Sequence, residues 1–263
     1  MERQFLNLEE LRETIPSVYQ EYPHPDVTNR YTFVPTYQIL SNFDKLGWKP
    51  VQVKQIKSRN NAKFAQHMIR LNNINCPAEF RNVGDIAPEI VISNSHDRSS
   101  CLFIEMGIYR KMCSNGLIVA DSSFSKINIR HMDINFEYIQ ELTYNILENF
   151  TKIYNKIADY KSIILSKEEK IEFADKVIKM VWKDNKFVPE QLLEVRRPED
   201  KSDDLFTTYN VIQENVMKGG LIYRTSKGFR KSREIKSIWG DLYINRFLWM
   251  TMEAIRISRR AYY

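Results

Sequence analysis

The feature that most constrains this chain is a change of hydrophobic period near residue 131. Ahead of it, apolar residues fall in short β-branched runs such as Val51-Gln52-Val53 and Glu89-Ile90-Val91-Ile92-Ser93. Behind it, Ile139, Leu142, Ile146, Phe150, Ile153 and Ile157 recur at steps of three and four, and Ile171, Ala174, Ile178 and Val181 repeat the pattern. The first spacing suits strands and the second amphipathic helices. The two in series define an α+β protein, an N-terminal basic antiparallel sheet region followed by a helical C-terminal half.

Punctuation divides the chain further. Residues 1–30 read as an N-terminal arm, with one short helix around Leu8–Thr14 and then a Pro-containing stretch that resists regular structure. Residues 31–131 read as the sheet domain. Its spacing predicts a helix from Thr36 to Leu46, capped by Gly47, and a basic hairpin turning at Arg59-Asn60-Asn61. From Cys101 to Val119 both periods are present, and a strand running into a helix is expected. Residues 132–197 form a helical region, and 198–205, polar and opened by Pro198, read as a linker. Residues 206–263 form a basic helical region, with helices over Thr207–Lys218 and Leu242–Ile257 separated by the Gly219-Gly220 break.

Composition excludes several classes. At 263 residues with 43% hydrophobic and 27% charged residues, the chain can bury a real core and is not disordered. Only 8 Gly and 9 Pro exclude collagen-like and linker-rich sequences. Cys76, Cys101 and Cys113 contain no CxxC pair, so a reducing compartment is expected rather than a disulfide framework. His24, His67, His96 and His131 are too dispersed for a zinc motif. No run approaches the roughly 20 apolar residues of a membrane span, and no signal peptide is visible in the opening residues. A cytoplasmic protein is expected.

Charge is segregated. Lys45 to Arg70 holds seven bases and no acid, and Asn210 to Tyr263 holds eleven bases and four acids. These segments carry +14 between them, leaving −8 for the rest of a chain whose net charge is +6. Such asymmetry fits a polyanion-binding face, the alternative being solvated surfaces neutralised by acidic helices. In the first segment Lys54, Lys57, Arg59 and Lys63 would follow a phosphate track, with Trp48 and Phe64 offering stacking faces. Trp48 as a core aromatic is the competing reading. In the second, Arg224, Lys227, Arg230, Lys231 and Arg233 interleave with Tyr223 and Phe229 beside glycines, as a nucleic-acid-contacting loop requires. A solvated loop joining two helices is the alternative there. No Walker-type motif accompanies either segment, and no cofactor is expected.

A third constellation is His96-Asp97 with Ser95, Cys113, His131 and Asp133. A His/Asp set can hold a divalent metal or tune a base, so His96, Asp97, His131 and Asp133 could build a nuclease centre. No carboxylate cluster of nuclease spacing supports it, and the structural alternative has Asp97 capping a turn and His96 fixing a loop. Cys113 sits in apolar surroundings that would raise its pKa and blunt it as a nucleophile. Gln213, Glu214 and Asn245 read as a polar network joining the two C-terminal helices.

Two blocks carry a resemblance. The first is Ser93-Asn94-Ser95-His96-Asp97-Arg98-Ser99-Ser100 with Ile108-Tyr109-Arg110, Cys113-Ser114-Asn115-Gly116-Leu117 and Ile129-Arg130-His131. The second is Tyr209-Asn210-Val211-Ile212-Gln213-Glu214-Asn215, Lys218-Gly219-Gly220 and Asn245-Arg246-Phe247-Leu248-Trp249. In this order they resemble the domain of unknown function 932, a family of phage- and plasmid-type proteins, over roughly residues 31–260. The family has glycine after its His-Asp pair where this chain has Arg98, which argues against a positive-φ turn being required there. The helix–hairpin–strand–helix order of residues 36–120 is loosely similar to a Rad52-type single-strand annealing core. Carriage on mobile elements implies a bacterial host cell and work in replication, recombination or counter-defence. The leading expectation is a non-enzymatic DNA-binding protein acting in recombination or replication by handling single strands, and forming a homo-oligomer. The alternatives are a counter-defence factor that binds a host protein complex and a metal-dependent nuclease.

Overall fold

The β-branched runs of the first half pair into one antiparallel sheet. The structure, a computed structural model, describes residues 4–28, 31, 33–57, 62–75, 86–110, 115–119, 127–129, 136–183 and 186–260. The chain divides into two compact units, Met1–Phe150 and Thr151–Tyr263. In the first, helices α1 (Leu11–Thr14) and α2 (Thr36–Lys45) precede strands β1 (Trp48–Gln55), β2 (His67–Asn73), β3 (Ile86–Asn94), β4 (Leu102–Arg110), β5 (Asn115–Ile118) and β6 (Ile127–Ile129). The sheet runs β1-β2-β3-β4, and β5 and β6 take successive stretches of the remaining edge of β4.

Register sorts the side chains onto two unlike faces. One carries Ile69, Leu71, Ile90, Ile92, Ile104 and Met106. On that face the Thr36 hydroxyl at the start of α2 meets His67 and Asn94, and α2 buries Ile39, Leu40 and Phe43. The other face is polar although enclosed. Arg70 donates to Glu89 at 2.5 Å with both side chains essentially inaccessible, and Asn72 and Glu105 are buried beside them in the register. Gly116 in β5 makes room for this pair: a Cβ there would collide with the Arg70 guanidinium and lie 2.9 Å from Glu89 Oε2.

Several local expectations are corrected. β1 and β2 do form an antiparallel pair, but pairing ends at Gln55 and His67. Residues 56–66 join them, including a 3-10 turn at Ala62–Phe64, so Lys63 and Phe64 stand on the connection rather than on a tight ribbon. Residues 115–118 are a strand, not the start of a helix, because β4 lends them its open edge. The Rad52-type order is therefore not reproduced beyond β3. The N-terminal arm is packed rather than loose: Leu11, Ile15 and Val18 are buried, and Leu6 N–H donates to Pro50 O.

The second unit is helical, as its period predicts. It follows from the latter part of α3 (Phe136–Ser162) through α4 (Lys167–Trp182), α5 (Leu205–Lys218), the hairpin β7 (Ile222–Thr225) and β8 (Gly228–Lys231), and α6 (Ile238–Arg260). Ile153, Ile157 and Tyr160 of α3, Phe173 and Val177 of α4, and Leu248 and Trp249 of α6 are buried. α5 is enclosed on every side from Leu205 to Val216, the position of a central helix. The expected linker at 198–205 is part of this fold. Asp200 is 2% exposed, Asp204 caps α5 by accepting from Thr207 N–H at 2.8 Å, and Leu165 N–H and Leu205 N–H donate to the carbonyls of Asp203 and Ile163. Its acids read as linker chemistry because capping and turn residues are polar too. Among the described residues no helix is long and apolar enough to cross a membrane.

Gly116→Ala is expected to destabilise the sheet unit by about 3 kcal/mol, since the guanidinium it displaces is buried and ion-paired and has nowhere to relax. Urea unfolding of the variant measures this, and a loss under about 0.5 kcal/mol would show that the pair can shift freely.

Candidate functional site

The basic segment after α5 is a hairpin. Gly219, at φ +66, turns the chain out of the helix, and a Cβ there would stand 2.6 Å from Arg233 O. Only glycine fits that approach. The root is closed by Gly220 N–H to Ser232 O and Ser232 N–H to Leu221 O, and Ile235 N–H returns to Met217 O. Ser226-Lys227 form the two-residue turn, and Gly228 follows at φ +108, a backbone conformation that favours glycine. Gln191 holds the outer edge of β7, accepting from Ile222 N–H at 2.6 Å and donating to Ile222 O at 3.0 Å.

The cations of this arm are uncompensated. Arg224, Lys227, Arg230, Lys231 and Arg233 are all exposed, and among the described residues none of their side chains makes an ion pair. Elsewhere in the unit bases meet acids. Lys176 pairs with Glu172 and Lys179 with Asp175, Arg259 reaches Glu169, and Arg256 binds Glu253 and Asp159. Lys218, at the root, is paired with Glu214. Neutralisation by acids thus accounts for many of the helical bases and for none of the five on the arm.

The two faces of the ribbon differ. Register sets Ile222, Arg224, Phe229 and Lys231 on one face, where Ile222 is 49% and Phe229 77% exposed. Tyr223 and Arg230 share the other and line a cleft of about 510 Å³ with Trp182, Lys186, Phe187, Lys231, Ser232 and Arg233. Phe187 is its buried centre, 4.6 Å from the Trp182 ring and 5.1 Å from the Tyr223 ring between centroids. Lys186 Nζ lies over both neighbours, 5.6 Å from Phe187 and 5.0 Å from Tyr223. Sequence reasoning missed Trp182, Lys186 and Phe187, which arrive from the end of α4. Two aromatic residues flanking two lysines within six positions, Trp182, Lys183, Lys186 and Phe187, are the signal that could have found them.

The sheet unit treats its candidates differently. Trp48 is fully buried, so its ring is closed to a stacking base and the core reading holds. Phe64 is half-buried and edge-on to His24 at 4.9 Å. Lys57 and Lys63 are exposed and Lys54 is half-buried, while Arg59 lies outside the described residues.

Of the partners expected for His96 and Asp97, His131, Asp133 and Cys113 lie outside the described residues. The His96 ring is fully buried, neither nitrogen has a hydrogen-bond partner among the described residues, and it packs 4.8 Å from Phe33 and 5.3 Å from His67. Its backbone fixes the loop instead, with N–H to Phe64 O and the carbonyl accepting from His24 N–H. Asp97 accepts from Ser99 N–H at 2.9 Å, an Asx turn. Burial opposes its charge, but hydrogen bonds from Ser99 and Ser95 outweigh that and hold its pKa below the usual range. Arg98 adopts φ +68, so the left-handed turn is present after all, in a residue with a Cβ. Among the described residues no three His, Cys, Asp or Glu side chains cluster to hold a metal.

His67 completes a buried relay. The Ser17 hydroxyl donates to Gln55 Oε1 at 2.6 Å and so faces His67 Nδ1, 2.8 Å away, as an acceptor, and Ala65 O, 3.1 Å from His67 Nδ1, can only accept. Nδ1 therefore carries the hydrogen, and Nε2 accepts from the Thr36 hydroxyl at 2.9 Å. Burial, and then the neighbouring His96, push the His67 pKa down to about 3. Burial likewise takes His96 to about 4, against the opposing pull of the Ser17 carbonyl and Asp97.

An α+β protein with an enclosed polar sheet and a basic, aromatic arm on a helical unit is what these residues build. The chain belongs to the family described as Domain of unknown function (DUF932), whose model matches residues 23–239. It is similar to UPF0380 protein YafZ of Escherichia coli strain K12, 34% identical over 255 residues that cover 95% of this chain and 91% of the relative. UPF0380 protein YfjQ of the same strain is 33% identical over the same extent. No solved structure matches the chain.

Two outcomes are expected from the His96 loop. Both imidazoles are neutral in the fold, so below pH 6.5 the unfolded chain takes up protons that the native one refuses. Stability falls as pH drops from 6.5 toward 4, by at most about 1.4 kcal/mol per pH unit for each ring. His96→Phe should keep neutral-pH stability and shed roughly half of that acid loss, read from urea midpoints at pH 7 and 5. Arg98→Gly should raise stability by up to about 1 kcal/mol by removing the left-handed strain, and a lower midpoint would contradict that assignment.

Proposed function

We propose that this protein binds nucleic acid through the β7–β8 arm, as a phage- or plasmid-type DNA-binding protein that handles single strands in recombination or replication. The observation that carries the reading is the set of five exposed cations without ion-pair partners, arranged on a ribbon whose outer face also exposes Phe229. Cations that no acid neutralises keep their full attraction for phosphate and release condensed counterions when they bind it. A projecting aromatic adds a stacking surface that tolerates any base. Glycines at the root and turn let the backbone come close to a strand.

The exposed Lys57 and Lys63 of the sheet unit would contribute a second phosphate contact of the same kind. A nuclease centred on His96 and Asp97 gains no support, since the imidazole is enclosed and the carboxylate is engaged by Ser99.

Fluorescence anisotropy with labelled oligonucleotides at several salt concentrations tests the proposal. Arg224→Ala with Lys231→Ala should weaken binding to every sequence alike. It should also lower the slope of log affinity against log salt by about 1.4 on single strands, or about 1.8 on duplex, for two lost phosphate contacts. Wild-type affinity and slope in this variant would remove the arm from the interface.

A further inference from the structure

The inner face of the arm differs from its outer face in kind, and that difference points to what it takes. The outer face offers charge and an open ring, which any polyanion with a stacking group can use. The inner face closes a cleft of about 510 Å³, inside the range of small-ligand sites. Its aromatic side is Trp182, Phe187 and Tyr223, of which Phe187 is buried while Trp182 and Tyr223 are half-exposed. Its cationic side is Arg230, cross-strand from Tyr223, with Arg233 at the root of the ribbon.

We propose that this cleft receives one unpaired nucleotide, its base against Tyr223 and Trp182 and its phosphate against Arg230 and Arg233. The inference rests on the arm being a nucleic-acid interface and adds that its inner face selects unpaired strands over duplex. A base must leave its stack to enter a recess, which a single strand permits at little cost and a duplex resists. The site already accommodates a cation over its rings: Lys186 Nζ stands within 6 Å of both Phe187 and Tyr223, the distance of a cation–π contact. An incoming base takes over the ring contact. The cleft is held from behind by the two Gln191 bonds to Ile222, so its width is set by the fold rather than by the ligand.

The full chain is titrated with labelled dT20, with rU20, and with a 20-base-pair duplex at one salt concentration. Tyr223→Leu is expected to weaken dT20 or rU20 binding by about 5- to 150-fold, the range one stacked base supplies, and to leave duplex binding within twofold. Tyr223→Phe should restore the single-strand preference, and the two homopolymers distinguish a DNA ligand from an RNA one. Trp182→Leu provides a second variant should Tyr223→Leu fold poorly, as judged by circular dichroism. Wild-type binding that is salt-steep but unaffected by Tyr223→Leu, or lost equally on strand and duplex, overturns the cleft while leaving the arm standing. No binding by the wild-type protein to any of the three removes both.

Discussion

Everything in the helical unit depends on α5 being enclosed on all sides while carrying polar side chains. A buried amide or carboxylate without a partner costs several kcal/mol, so each of these groups dictates where some other segment must lie. Glu214 takes both oxygens to Arg197 at 2.6 Å. Asn215 accepts from Arg196 and donates to the carbonyls of Leu192 and Glu194 at 3.0 and 2.9 Å. Those bonds pin the 3-10 turn Pro189–Leu193 against the helix, and from that turn Gln191 grips β7. Gln213 looks the other way, donating to Asn245 of α6 at 3.0 Å. The arm is thus placed by a relay of hydrogen bonds that begins inside the core.

Electrostatics then sets the helices apart from the arm. The helices set many of their bases against acids one turn away or on a packed neighbour, which stabilises the fold by only tenths of a kcal/mol per pair but offsets much of their charge. The acids near the arm are engaged elsewhere: Glu234 is turned to Lys236, and Glu214 is occupied in the interior by Arg197 and Lys218. Five like charges on one short ribbon repel one another, and neither a salt bridge nor burial offsets that repulsion. A fold that only needed a turn between α5 and α6 would gain by dispersing them. Their persistence as a cluster is intelligible if a polyanion completes the charge balance.

The sequence made the helices legible because each presents one apolar stripe to a core, and the 3.6-residue period survives in the spacing of Ile146, Phe150, Ile153 and Ile157. It made the charge segregation and the Gln213–Asn245 contact legible for the same reason, since both follow from helical register. The strand β4 was expected but β5 was hidden behind it: β4 is enclosed on both faces, so Leu102, Ile104, Glu105 and Met106 show no clean alternation, and the residues after them could be read with either period. β3 began earlier than its β-branched run, because Pro88 reads as a breaker although its carbonyl still accepts from Asn72 at 3.1 Å. Arg98 concealed a left-handed turn, since the residue type most often marking one is absent. The cleft was invisible for a different reason: Trp182 and Tyr223 are far apart in sequence, and only the packing of α4 brings their surroundings together around Phe187.

The residues that make this chain recognisable are mostly interior ones. Asn94, Ser95 and His96 are buried, with Asn94 donating to Thr36 and Ser95 closing the loop onto Ser100 at 2.8 and 2.9 Å. Glu214, Asn215 and Asn245 are buried too, each bound within its own unit. A polar side chain whose hydrogen bonds are all internal has nothing left to offer a ligand, however conspicuous it is in the sequence. The His96 nitrogens are unpaired among the described residues but enclosed; the accessible groups with unspent capacity include the guanidinium and ammonium groups of the arm and the half-open rings of Trp182 and Tyr223. By that physical test the signature residues build the scaffold, and the chemistry available to a partner belongs to the basic, aromatic ribbon the scaffold holds out.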